Sequence, residues 1–87
     1  MITGKTSSGF EYELDEGTLD DYELLNAIQK FDQGDPLAVV DMIDQLLGEE
    51  QRDALKEHVR EENGRVPMTK MLKEAMEIFE NQNKTKN

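Results

Sequence analysis

The chain has no cysteine and no tryptophan, two prolines, one histidine and only ten basic residues among 87. Without cysteine, neither a disulfide nor a thiolate metal site can support the fold, which fits a reducing compartment. No apolar run approaches the ~20 residues of a membrane span, and the first residues lack the apolar core of a signal peptide. These absences predict a soluble, intracellular protein. A chain this short forms one domain, buries only ~60% of its unfolded surface and is stable by the order of 5 kcal/mol.

Acid is abundant. The net charge is −10, and it is unevenly spread. Residues 11–50 hold thirteen Asp or Glu against one base, Lys30, whereas residues 51–87 hold seven acids and eight bases. The plain reading is a solvated acidic surface. The sharper one is a face for a basic partner, because a field of one sign steers association. Nucleic acid is disfavoured, since phosphate contacts need clustered Lys and Arg.

The stretch DPLAVVDMIDQLLG, residues 35–48, is the expected centre of the fold. Asp35 is a suitable N-cap, Pro36 fits the first helical position and Gly48 can close the helix. At about 100° per residue, Ala38, Val39, Val40, Met42, Ile43, Leu46 and Leu47 cover roughly 200° of its surface. An arc that wide predicts contact from at least two sides.

Upstream, Phe10, Tyr12 and Leu14 alternate with acids in the period of a half-buried strand. Ile2–Thr6 is its candidate hairpin partner. Thr18 is placed to cap a helix over 19–32, with Asp20, Asp21 and Glu23 near its positive end and Leu24, Leu25, Ala27, Ile28 and Phe31 on its buried side. A third helix over about 50–62 carries a thin stripe of Ala54, Leu55 and Val59, and Asn63-Gly64 stops it. Pro67 opens a fourth, to residue 80. There Met68, Met71, Leu72, Ala75, Met76, Ile78 and Phe79 oppose Thr69, Lys70, Lys73, Glu74 and Glu77. The expected fold is therefore mainly α: a small four-helix domain within residues 1–80, preceded by a strand or hairpin over about 2–14. Residues 81–87, which contain no apolar side chain, read as a disordered polar tail.

Chemistry is hard to find. His58 with Glu62 supplies two metal ligands and no third, so His58 reads as a partly exposed residue beside Leu55 and Val59. The Asp32–Asp35 loop has its glycine in the wrong place for calcium. Ser7 and Ser8 lack a patterned base. No catalytic, cofactor or metal residue is assigned, and the chain reads as a non-enzyme. The methionines read first as core. They double as an adaptable binding surface if the fourth helix is only partly covered, because an unbranched thioether refits to different partners. Asp20, Asp21, Glu23, Met71, Met76 and Phe79 are thus the candidate partner-binding residues.

Several short runs occur in a telling order. Gly9-Phe10-Glu11 leads to Leu19-Asp20-Asp21-Tyr22-Glu23-Leu24, then Gly34-Asp35-Pro36-Leu37, Leu47-Gly48-Glu49-Glu50-Gln51 and Asn63-Gly64-Arg65-Val66-Pro67. In this order, over residues 9–79, the chain resembles the small acidic tail assembly chaperones of long-tailed phages and prophages of Gram-positive bacteria. The resemblance implies a non-enzymatic protein of the host bacterial cytoplasm, absent from the mature virion. Its implied role is to keep the tape-measure protein soluble and help recruit tail tube subunits. It also implies that a longer frameshifted product can exist, and it leaves self-association open. A reading from another class is an acidic decoy that occupies a basic nucleic-acid-binding protein. A host regulatory adaptor is a third.

Overall fold

A computed structural model describes residues 1–84. Strands β1 (Ile2–Lys5) and β2 (Glu11–Leu14) form an antiparallel hairpin, with Ile2 opposite Leu14 and Gly4 opposite Tyr12. The period-two pattern holds, since Tyr12 and Leu14 are buried while Glu11 and Glu13 face solvent. The Tyr12 ring lies over Gly4, where a Cβ would collide with the phenol oxygen. No side chain but glycine's hydrogen fits beneath it.

A single 3-10 turn, Thr18–Asp20, precedes α1 (Tyr22–Asp32). The helix expected from residue 19 therefore starts later, and Asp21 rather than Thr18 caps it. Asp21 is extended, and its carboxylate accepts from the Glu23 N–H at 2.9 Å. A carboxylate placed at the positive helix end is the stronger cap.

The central element is α2, Ala38–Val59. Asp35 does cap this region, accepting from the Leu37 N–H at 3.1 Å, but 3-10 bonds occupy the next residues before α2 begins. Inside α2, Gly48 adopts φ 79° and ψ 166°, a conformation open essentially to glycine alone, and the helix bends there. The helices expected over 36–47 and 50–62 correspond to the two arms of this one bent element, whose second arm ends at Val59, before the expected stop at Asn63-Gly64, because Arg60 is already extended. Three helices follow the hairpin, not four. The bend uses one residue because Gln51 repairs it: its side-chain amide donates to the Leu47 carbonyl at 3.0 Å. The same amide donates to Glu13 O and accepts from Glu13 N, both at 2.6 Å, in the manner of a neighbouring strand. The second arm is thereby stitched to β2.

α3 runs from Met68 to Lys84, past the expected end at residue 80. Asn81 and Gln82, expected in the disordered tail, lie in its last turns and donate to the Tyr12 phenol oxygen at 3.2 and 3.3 Å. Residues 85–87 of that tail lie outside the described residues.

The core forms around α2, which supplies Val39, Met42, Ile43, Leu46 and Leu47 from its first arm and Leu55 and Val59 from its second. α1 contributes Leu24 and Ala27, β2 contributes Tyr12 and Leu14, and α3 contributes Met71, Ala75 and Ile78. The central helix is as buried as its wide apolar arc predicts. Leu25, Val40 and Ala54 depart from expectation here, as Met68, Glu74 and Met76 do on α3. Leu25, at 54% exposed, and Val40, at 48%, face solvent, and so does Ala54. Leu25 sits about 100° round α1 from Leu24, and Val40 lies a similar angle from the middle of the buried arc of α2. Both fall just outside the covered sector.

Candidate functional site

The candidate residues separate into an acidic end and an apolar flank. Asp20 and Glu23 are exposed around the start of α1, and Asp21 beside them is partly engaged as the cap. Tyr22 rises between them, 77% exposed, and Leu25 follows one turn on. Periodicity treats Leu25 as core and says nothing of Tyr22. The end of α1 is thus apolar as well as acidic.

On α3, Met71 is 6% exposed and belongs to the core. Met76 is 46% exposed, and Phe79 is half-buried against the core. At helical pitch, Met68, Leu72, Phe79 and Met76 lie within about 80° of one another, beside the sector of Met71, Ala75 and Ile78. Met68 is exposed and Leu72 half-buried. α3 therefore has a covered face and an open apolar flank, and of the three candidates on it Met76 and Phe79 stand on the flank.

A groove of about 300 Å³ adjoins this flank at the bend of α2. Val40, Ile43, Val66, Met68 and Met71 give it apolar walls, and Asp44, Arg52 and Lys56 stand at its edge. Arg52 reaches across the bend to Asp44 at 3.2 Å and along its own arm to Asp53 at 3.1 Å. The hydrogen bond to Asp44, then that to Asp53, raises the pKa of its guanidinium. A groove built from two arms and a distant loop has no short sequence signature. Its only legible component is the glycine that makes the bend.

On the other side of α3 lies a polar seam. Glu74, placed by periodicity on the solvated face, is 5% exposed. Its carboxylate accepts from Thr6 Oγ1 at 2.7 Å and from Ser8 Oγ at 2.8 Å. Glu77 accepts from the Ser7 backbone N–H and, at 2.9 Å, from Ser7 Oγ. His58 Nε2 lies 3.0 Å from Ser8 Oγ, and its ring tilts against Phe10 at 5.5 Å between centroids. Ser8 thus touches both His58 and Glu74, although the sequence offered no spacing for them. Their polarity is that of a clasp. A carboxylate only accepts, so the Ser8 proton points at Glu74 and the histidine is left to donate to Ser8. A nucleophile and its base require the reverse.

Among the described residues, no group of three or more His, Cys, Asp or Glu stands where it could hold a metal ion. No helix among them is long and apolar enough to cross a membrane. Compared with protein-family models, curated proteins and solved structures, the chain matches none.

Proposed function

We propose that this protein is a tail assembly chaperone of a long-tailed phage or prophage. It acts without catalysis in the bacterial cytoplasm, keeping the tape-measure protein soluble and helping tube subunits assemble on it. One observation carries the reading. A small acidic domain leaves a methionine-bearing flank of α3 open, although its core is otherwise well filled. An open, adaptable apolar stripe suits a long helical client that presents many similar surfaces, none of which must be held tightly. The order of short runs that resembles the chaperone family supports the same reading.

The two surfaces divide the work. The acidic end of α1 speeds encounter with basic stretches of the client, and the α3 flank holds what arrives. A pull-down from infected or induced cells tests the identity of the partners: tape-measure and tube proteins are expected to come with the chain. With a tape-measure fragment, replacing Asp20 and Glu23 by Asn and Gln should slow association and reduce its salt dependence. Asp21 is left in place because it caps α1. Changing Met76 or Phe79 to Ser should raise the dissociation rate instead. Tight binding to a basic nucleic-acid-binding protein, with none to either tail protein at any salt, would replace the chaperone by the acidic decoy.

A further inference from the structure

We infer that the groove at the α2 bend docks an amphipathic helix of a partner protein, one whose apolar anchors are followed about one turn on by a carboxylate received by Lys56. The groove has room for a few apolar side chains, and its walls are Val40, Ile43, Val66, Met68 and Met71. It is continuous with the open flank of α3, because Met68 belongs to both. A helix seated in it can therefore extend past Leu72 towards Met76, meeting apolar surface at the one-turn spacing an amphipathic face supplies.

The edge of the groove defines the charge of the occupant. Arg52 is satisfied by Asp44 and Asp53. Lys56 is half-buried, makes no salt bridge or hydrogen bond among the described residues, and acts on Glu57 only through its field. In a chain of net charge −10, an uncommitted cation beside apolar walls is a local reversal of sign. A helix with a lysine at that point would set two cations together at an edge partly shielded from water. A helix with a glutamate there completes the pair and loses less hydration than it would in a dry core. Basic stretches of a partner are drawn to the acidic end of α1 and acidic anchors to the groove, so a client of mixed charge is held in one orientation.

This deepens the chaperone reading and rests on it for the partner's identity alone. The test uses two stapled helical peptides of about fifteen residues, long enough to hold a helix. Both carry leucine at i, i+3 and i+7, and they differ only in a Glu or a Lys four residues beyond the last leucine. Fluorescence anisotropy with the intact chain should show the Glu peptide binding roughly fivefold tighter than the Lys peptide. Lys56→Gln should abolish that preference and Lys56→Glu should invert it. Val40→Asn, at an exposed position, should weaken both peptides alike and leave the melting temperature unchanged. Equal binding of the two peptides, no binding of either, or a preference that survives Lys56→Glu would overturn the inference. The peptides carry no phage sequence, so such a failure leaves the pull-down result standing, and a failed pull-down leaves the peptide result standing.

Discussion

α3 meets the rest of the molecule on two unlike sides. Towards the hairpin turn, Glu74 and Glu77 collect the hydroxyls of Thr6, Ser7 and Ser8, so that this side is tied to the hairpin by polar groups, with Thr6 and Glu74 buried beneath the exposed serines. Towards the α2 bend, Met68 and Met76 stand open with nothing polar between them and water. The closed side spends charged groups on structure. The open side keeps apolar surface that the fold does not use. Surface of that kind is what the proposed chaperone role would use.

The largest effect should come from beneath both sides. Ile43 is buried in the first arm of α2 and also walls the groove. Ile43→Ala should cost ~2–5 kcal/mol, the range for emptying a core site, which is much of the stability of so small a domain. Urea unfolding followed by circular dichroism measures it, and a loss under about half a kcal/mol would mean that α2 is not the core. Next comes the seam. Glu74→Ala removes the carboxylate acceptor of the buried Thr6 hydroxyl, leaving it only the contact with Ser8 Oγ at 3.1 Å, at a cost of about 1–3 kcal/mol. If Glu74→Ala were as mild as a surface change, the two sides of α3 would not differ in kind.

Gly48 tests the shape of the open side. Any other residue at φ 79° and ψ 166° is strained, so Gly48→Ala should cost about 1–3 kcal/mol. If α2 instead relieves the strain by straightening, the groove walls separate and the Glu peptide binds more weakly. Measuring stability and peptide affinity together distinguishes a rigid bend from a yielding one. An unchanged value for both would remove Gly48 from the account.

Truncation after Glu80 and Tyr12→Phe should each lose about 0.5–1.5 kcal/mol, since they remove opposite ends of the same hydrogen bonds. Combined, they should cost less than their sum. Additive losses would mean that Asn81 and Gln82 stabilise the hairpin by some other route.

What could be read from the residues alone is what short-range chemistry determines. Alternation at Phe10, Tyr12 and Leu14 is a hairpin strand because it reports its own buried face. The central helix is legible because its apolar arc is too wide to leave solvated. Gly48 shows the limit of such reading. A glycine after an apolar run signals a helix end, and the backbone does leave the helix there, but whether the chain stops or restarts at once depends on Gln51 finding β2. That partner is 38 positions away in the chain. Glu74 fails for the same reason, its burial being set by a turn 68 positions upstream. Of the candidate binding residues, Met71 and Met76 are indistinguishable by type and periodicity. Only the line along which α2 meets α3 assigns one to the core and the other to solvent.

The smallest expected effect on stability is the one that sharpens the comparison most. Met76 is two residues from the fully buried Ile78 on the same helix, yet nearly half of its surface faces water. Truncating it to serine removes little buried area and empties no enclosed space. Met76→Ser should therefore change unfolding free energy by no more than about 0.5 kcal/mol, as surface changes do. Binding should behave otherwise. If the flank holds a partner helix, the flexible thioether is among the groups that lose water on contact, and its removal raises the dissociation rate while association, steered from the acidic end of α1, is little altered. Stopped-flow measurement against a tape-measure fragment separates the two rates. A stable variant that releases its partner faster would show that the open side of α3 is kept for binding. A variant that is destabilised by more than a kcal/mol, or that binds with unchanged kinetics, would return Met76 to the role its neighbour Met71 already has.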